Sequence, residues 1–163
     1  MANDEFDDGW PPERTPAVDT RVINAVHGAH HAVTRRLELS TREHGLDAAE
    51  ALVLDAVLRD VGCAPWEIRS RVGLHRSTMS SILDRLERDS RIERRRSSFD
   101  GRRFEVRLTQ AGVIAAGLAE FVIAEVEAEI AGYTSRAERH GAKAVYEACV
   151  AIGRPDRGSS HWQ

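Results

Sequence analysis

Ile92 to Thr109 reads IERRRSSFDGRRFEVRLT and follows directly on the helical run His75 to Asp89. Two arginine-dense segments alternate charge with apolar residues. They flank Ser97-Ser98-Phe99-Asp100-Gly101, whose Asp-Gly pair favours a tight reversal. The pattern predicts a basic β-hairpin beside a helix. A DNA duplex suits such a pair, because it offers phosphates to guanidinium groups, a major groove wide enough for a helix and a narrow minor groove that attracts arginine.

The helix before the hairpin begins at His75 or Arg76. Its Met79, Ile82, Leu83 and Leu86 recur at helical spacing and should face inward. Arg76, Ser77, Thr78, Ser80, Ser81 and Arg85 are then left toward solvent or a partner. Short polar side chains and arginines on such a face reach base edges without driving the backbone into the groove, and Arg85, further along, lies nearer phosphate. Ser77 and Thr78 also suit the unpaired N–H groups at the helix start. Upstream, Pro65 fits the first turn of a helix running to about Val72, and Gly73 permits the turn that follows. Around Gly62-Cys63-Ala64 a short extended segment should pair with the hairpin. Asp47 can cap a helix that carries Leu52, Val53, Ala56 and Val57 inward and ends near Asp60. Within the hairpin, Arg102 is expected in the minor groove, while Arg94, Arg95, Arg96 and Arg103 meet phosphates or hold the hairpin's shape.

From Gly45 to Gly112 the order of these pieces resembles the winged helix-turn-helix of the multiple antibiotic resistance regulator (MarR) family. The resemblance is carried by Leu46 to Leu54 for the opening helix and by Ala64-Pro65-Trp66-Glu67-Ile68 for the first helix of the motif. Val72 to Ser80 leads into the recognition helix, Asp84-Arg85-Leu86-Glu87-Arg88 closes it, and Asp100 to Gly112 forms the wing and the start of a long helix. Two positions depart from the family pattern. Ser90 stands where relatives usually carry Gly after the recognition helix, a place that calls for positive φ, so slight strain or a shifted cap is expected. Ser81 replaces a residue that is basic in many relatives, which bears on base preference. The resemblance also implies that Asp100 orients a wing arginine through a salt bridge.

The fold class expected is therefore mainly α with a small β-hairpin wing, a winged helix-turn-helix with N- and C-terminal dimerisation helices. Residues 1–16 read as a disordered acidic arm, in which Trp10 either docks or is simply solvated. Residues 17–44 read as a dimerisation helix, with Val22, Val26, Ala29, Val33 and Leu37 as one buried stripe and Gly45 as its stop. Residues 45–108 form the DNA-binding domain. Residues 109–152 supply two more dimerisation helices, the first capped by Thr109, with Val113, Ala116, Phe121, Ile123, Val126 and Ile130 among its apolar positions. The last helix carries Ala144, Val145, Ala148 and Ile152, and 153–163 is a flexible tail. Helices apolar on one side and distant in sequence from the winged core most simply pack with each other and with a second copy. The resemblance implies an obligate homodimer, which would set two recognition helices about 34 Å apart on a pseudo-palindrome.

The formal charge is -3 over 163 residues, which by itself does not suggest a nucleic-acid binder. Between Pro65 and Leu108, however, twelve arginines outnumber seven acids, so that segment stands at +5 and the remainder at -8. A basic module on an acidic body is the asymmetry expected of a surface that meets phosphate. No apolar run approaches a membrane span, and the acidic start lacks the features of a signal peptide. The expected place is the cytoplasm, nucleoid-associated when bound to DNA, with no membrane partner and no cofactor.

Regulators of this family commonly take an anionic or phenolic effector in a cleft between dimerisation helices and winged module, and the resemblance implies such a site here. His27, His30, His31, Arg35 and Trp66 are the candidates to line it. His27 and His31, four apart, also suit a metal, with His30, His44 or carboxylates assisting. Cys63 and Cys149 read as inert core residues rather than oxidant sensors. The chain carries no Gly-rich phosphate loop, zinc-protease spacing or nucleophile elbow, so an enzyme is not expected. A winged helix used as a protein-interaction module, and a metal- or redox-responsive regulator, stay open beside the ligand-responsive repressor.

Overall fold

In the computed structural model, which describes residues 21–96 and 104–152, Leu54, Ile68, Leu86, Ile92 and Val106 are fully buried together at the centre of the winged module. The elements that bring them there are α1 (Val22–Thr41), α2 (Ala48–Arg59), α3 (Pro65–Val72), α4 (Arg76–Arg88), β1 (Ile92–Arg96), β2 (Phe104–Leu108), α5 (Gln110–Tyr133) and α6 (Arg136–Ile152). A short 3-10 turn, Arg42–His44, continues α1, and Gly45 ends it at φ 62°. No helix among the described residues is long and apolar enough to cross a membrane.

The boundaries follow local chemistry. Asp47 and Glu50 form a reciprocal cap on α2: Asp47 Oδ1 accepts from the Glu50 N–H at 2.7 Å, and Glu50 Oε2 accepts from the Asp47 N–H at 3.1 Å. Pro65 opens α3, where Glu67 accepts from the Ala64 N–H at 2.7 Å. Gly73 closes α3 at φ 67°. Thr109 caps α5 by accepting from the Gly112 N–H at 3.0 Å. Met79, Ile82, Leu83 and Leu86 are the buried face of α4, as their spacing requires.

At the end of α4 the Ser90 N–H donates to the Glu87 carbonyl at 3.0 Å and the Arg91 N–H to the Leu86 carbonyl at 2.8 Å, the paired bonds of a Schellman cap. Ser90 occupies the left-handed position at φ 55°, where it is the one non-glycine residue with positive φ among those described. The cap is retained, and the strain falls on Ser90.

β1 and β2 are antiparallel, with Ile92 opposite Leu108 and Arg96 opposite Phe104. Cys63 adds a bridge to Val106, whose N–H donates to the Cys63 carbonyl at 3.0 Å. The hairpin is therefore tied to the loop before α3 as the sequence suggested.

The outer helices differ from expectation. Of the α1 stripe, Leu37 alone is buried; it meets Ala48, Val122 and Val126 where α1, α2 and α5 join. Val22, Val26 and Val33 remain exposed. On α5, Ala116 and Val126 are buried, with Ala119 and Val122, which periodicity did not single out; Val113, Phe121 and Ile130 are exposed. No residue of α6 is buried within the single subunit. Periodicity marked these surfaces correctly as apolar, but one copy of the chain does not cover them.

Candidate nucleic-acid interface

The first two turns of α4 present Arg76, Ser77, Thr78, Ser80 and Ser81 on its exposed side, opposite the buried Met79, Ile82 and Leu83. His75 sits at the N-cap, with its Nδ1 2.9 Å from Ser77 Oγ, so Ser77 is partly committed to the helix start. Ser81 Oγ donates to the Ser77 carbonyl at 3.1 Å, which ties its hydroxyl back to its own helix. Arg76, Thr78 and Ser80 have no side-chain hydrogen bond among the described residues and are the freest donors and acceptors on this face.

Three of the arginines named for phosphate, or for the hairpin's shape in the case of Arg94 and Arg95, are engaged within the subunit. Arg85 donates through Nε to Glu50 Oε1 at 2.9 Å and through a terminal nitrogen to Asp47 Oδ2 at 2.5 Å, so it fastens α4 to the cap of α2. The sequence reading set Arg85 nearer phosphate; in the subunit it is held by acids of α2. Helical periodicity put it on the outer side of α4 but carried no information about the acids facing it from α2. Arg94 pairs with Asp84 at 2.6 Å and Glu87 at 3.3 Å, locking β1 to the outer side of α4. Arg95 pairs with Glu93 at 2.7 Å.

Register explains part of this neutralisation. Glu93 lies opposite Arg107 and Arg95 opposite Glu105, so one face of the hairpin is a ladder of alternating charge. Such exposed pairs contribute only about 0–1 kcal/mol each, so Arg95 can exchange Glu93 for a phosphate at little cost. Arg85 is different, because its partner Glu50 is 7% exposed. Arg96 is exposed, with no acid partner among the described residues. Asp100, Arg102 and Arg103, which the sequence reading placed in the wing, lie outside the described residues.

Between α3, α4 and the hairpin lies a cavity of about 910 Å³, lined by Trp66, Arg69, Arg76, Ser80, Arg94 and Phe104 among others. It combines two exposed aromatic rings with guanidinium groups and opens beside the reading face of α4. Sequence reasoning flagged Trp66 but not Phe104 or Arg69, because only the fold brings the start of β2 against the start of α3.

The effector candidates do not converge in the subunit. Trp66 lines this cavity, whereas His27, His30, His31 and Arg35 are exposed on α1, which packs on α2 and α5. The His27 and His31 rings are in edge contact, with centroids 4.5 Å apart, and His30 is 5.6 Å from His31. Cys63 is buried, and burial pushes its thiol pKa up, away from the reactive thiolate. Cys149 is exposed on α6, contrary to its reading as a core residue.

A model of the MarR family matches residues 44–103. Over 96 residues the chain is 31% identical to the HTH-type transcriptional regulator TtmR of Methylorubrum extorquens, a stretch covering 59% of this chain and 49% of that protein. The match thus spans about half the length of that relative. Among solved structures, the S. aureus MepR–DNA complex matches with a TM-score of 0.68 at 18% identity, covering 81% of this chain and 98% of that one. Bordetella bronchiseptica BpsR, whose DNA binding is regulated by 6-hydroxynicotinic acid, matches at 0.66 and 17%, covering 79% and 98%. The Streptomyces coelicolor regulator PcaV, in complex with its natural ligand, matches at 0.64 and 20%, covering 89% and 100%. At these identities the structural likeness establishes the fold.

Proposed function

We infer that this chain, which belongs to the MarR family of transcriptional regulators, binds a pseudo-palindromic operator as a homodimer and represses transcription until a small anionic or phenolic molecule releases it. The observation that carries the reading is the exposed start of α4: Arg76, Thr78 and Ser80 project from a helix whose opposite side is anchored in the core. A rigid helix with uncommitted polar groups at its N-terminal end is what major-groove readout requires. Arg96 on the adjoining strand, together with Arg102 and Arg103 beyond it, would supply the phosphate and minor-groove contacts, with Asp100 orienting the wing.

The uncovered apolar surface supports the dimer. Val22, Val26 and Val33 on α1, Phe121 on α5 and Tyr146 and Ile152 on α6 are all exposed in one subunit. Large apolar side chains left in water on three helices suit a second copy as their cover. Repression follows from bulk, since a dimer over a promoter blocks polymerase without a further contact surface.

For release, the cavity beside Trp66 and Phe104 offers aromatic faces and the Arg69 and Arg76 guanidiniums to an aromatic anion. An anion held there occupies Arg76 and competes with phosphate for the same charge. The effect on DNA binding is limited by the ligand's preference for the DNA-free state.

The test is selection of genomic fragments with the purified protein, followed by footprinting. The reading expects an inverted repeat with half-sites one duplex turn apart, about 34 Å, and a dimer in sedimentation. A monomer at micromolar concentration, or bound fragments without two-fold symmetry, would refute it.

A further inference from the structure

His27 and His31 are four residues apart on α1, and both are exposed. Their ring centroids lie 4.5 Å apart, with the ring planes at 69°. Neither ring hydrogen-bonds or ion-pairs with another described residue, and the two meet each other edge to face.

The separation is also one that two imidazoles on a shared metal ion would take. A metal–nitrogen bond of about 2.0–2.1 Å plus a ring radius of about 1.1 Å puts each imidazole centroid roughly 3.2 Å from a shared ion. Two imidazoles bound at an angle of about 90° then have centroids about 4.5 Å apart, and at a tetrahedral angle about 5.2 Å. The observed separation of 4.5 Å falls at the first of these values.

We propose that His27 and His31 form a bidentate site for a late first-row divalent metal ion on the exposed side of α1. Donors that are imidazole nitrogens alone suit Cu²⁺, Ni²⁺ and Zn²⁺, and discriminate against Mg²⁺ and Ca²⁺, which take oxygen ligands. Among the described residues no three His, Cys, Asp or Glu converge on one point, so water completes the coordination and affinity is modest. His30 lies four residues after Val26, along the apolar stripe, and its ring is 5.6 Å from His31; it is a neighbour of the site rather than a member. Because the ion spans one turn of α1, binding it stabilises that helix, and the unfolding temperature rises with the logarithm of metal concentration above the dissociation constant.

The test uses the full chain, titrated with CuCl₂ and ZnCl₂ and followed by calorimetry, with electron paramagnetic resonance of the Cu²⁺ adduct. The difference between wild type and each variant isolates this site from the chain's other histidines. The expected result is a two-nitrogen signal, with His27→Ala and His31→Ala each lowering affinity at least about tenfold, and His30→Ala changing it by less than about twofold. His27→Gln serves as a second variant at the same position, and circular dichroism confirms that each protein is folded. Absence of binding at tens of micromolar metal, binding that persists unchanged in both His27→Ala and His31→Ala, or an equal loss in His30→Ala would each overturn the proposal.

Discussion

Arg85 on α4 donates to Glu50 on α2 at 2.9 Å, and the same guanidinium reaches Asp47, the cap residue of α2. The side chain thereby fastens α4 to the first turn of α2. Replacing Arg85 with Ala leaves Glu50, which is 7% exposed, with only the Asp47 N–H as partner. The loss should be about 1–3 kcal/mol of folding stability. Urea unfolding measures it, and a midpoint equal to wild type would show that the pair contributes nothing.

Gly112 fixes how closely the start of α5 approaches the end of the recognition segment. A Cβ added there would lie 1.7 Å from the Arg91 carbonyl oxygen, a backbone atom that cannot rotate away. Gly112→Ala should destabilise by about 3 kcal/mol or more through forced separation of α5 from that turn. Thermal unfolding should show a large drop, and a shift of only a degree or two would mean the contact is looser than described.

Ser90 makes the opposite prediction. Its φ of 55° costs an L-residue about 1–2 kcal/mol, which glycine avoids, while glycine adds about 0.4–1 kcal/mol of freedom to the unfolded chain. Ser90→Gly should therefore stabilise by about 0.5–1 kcal/mol in net terms. Ser90→Ala should show no such gain, and equal effects from the two substitutions would argue against backbone strain.

How far the sequence could be read is clear at these positions. The buried quartet of α4, the proline start of α3, the Thr109 cap and the pairing of Cys63 with the hairpin were legible because each depends on periodicity or on one residue's backbone chemistry. The strain at Ser90 was legible from its departure from glycine. Arg85 and Arg94 were not, because their acid partners are brought to them by tertiary packing, 35 and 10 residues away in the chain. The α1 stripe was legible as apolar, but whether one subunit covers it depends on where α6 goes, and α6 buries no residue within the subunit. Cys149 was misread for the same reason.

The start of α6 carries a pH-dependent element. Ser135 and Glu138 cap each other: the Ser135 N–H donates to Glu138 Oε2 at 2.7 Å, and the Glu138 N–H donates to Ser135 Oγ at 3.2 Å. The bond from the Ser135 backbone holds the Glu138 carboxyl below its ordinary pKa of 4.5. A depressed folded pKa contributes stability that is complete above the unfolded value and is lost as pH falls through the folded one. Fraying of α6 should accordingly increase as pH falls below about 4.5, and Glu138→Gln should show little of that dependence. Amide exchange at residues 136–140 reports it, and an identical pH profile in the variant would contradict the capping role.

The account rests on the uncommitted face at the start of α4 meeting phosphate and base edges. The most direct test is the salt dependence of duplex binding by wild type and Arg76→Ala, followed by fluorescence anisotropy. The predicted result is a steep linear fall of log affinity with log salt concentration, with a slope near -0.9 for each phosphate contacted, and in Arg76→Ala binding weaker by about 1–3 kcal/mol with the preference among sequences relaxed. Binding that is absent, insensitive to salt, or the same in both proteins would contradict it.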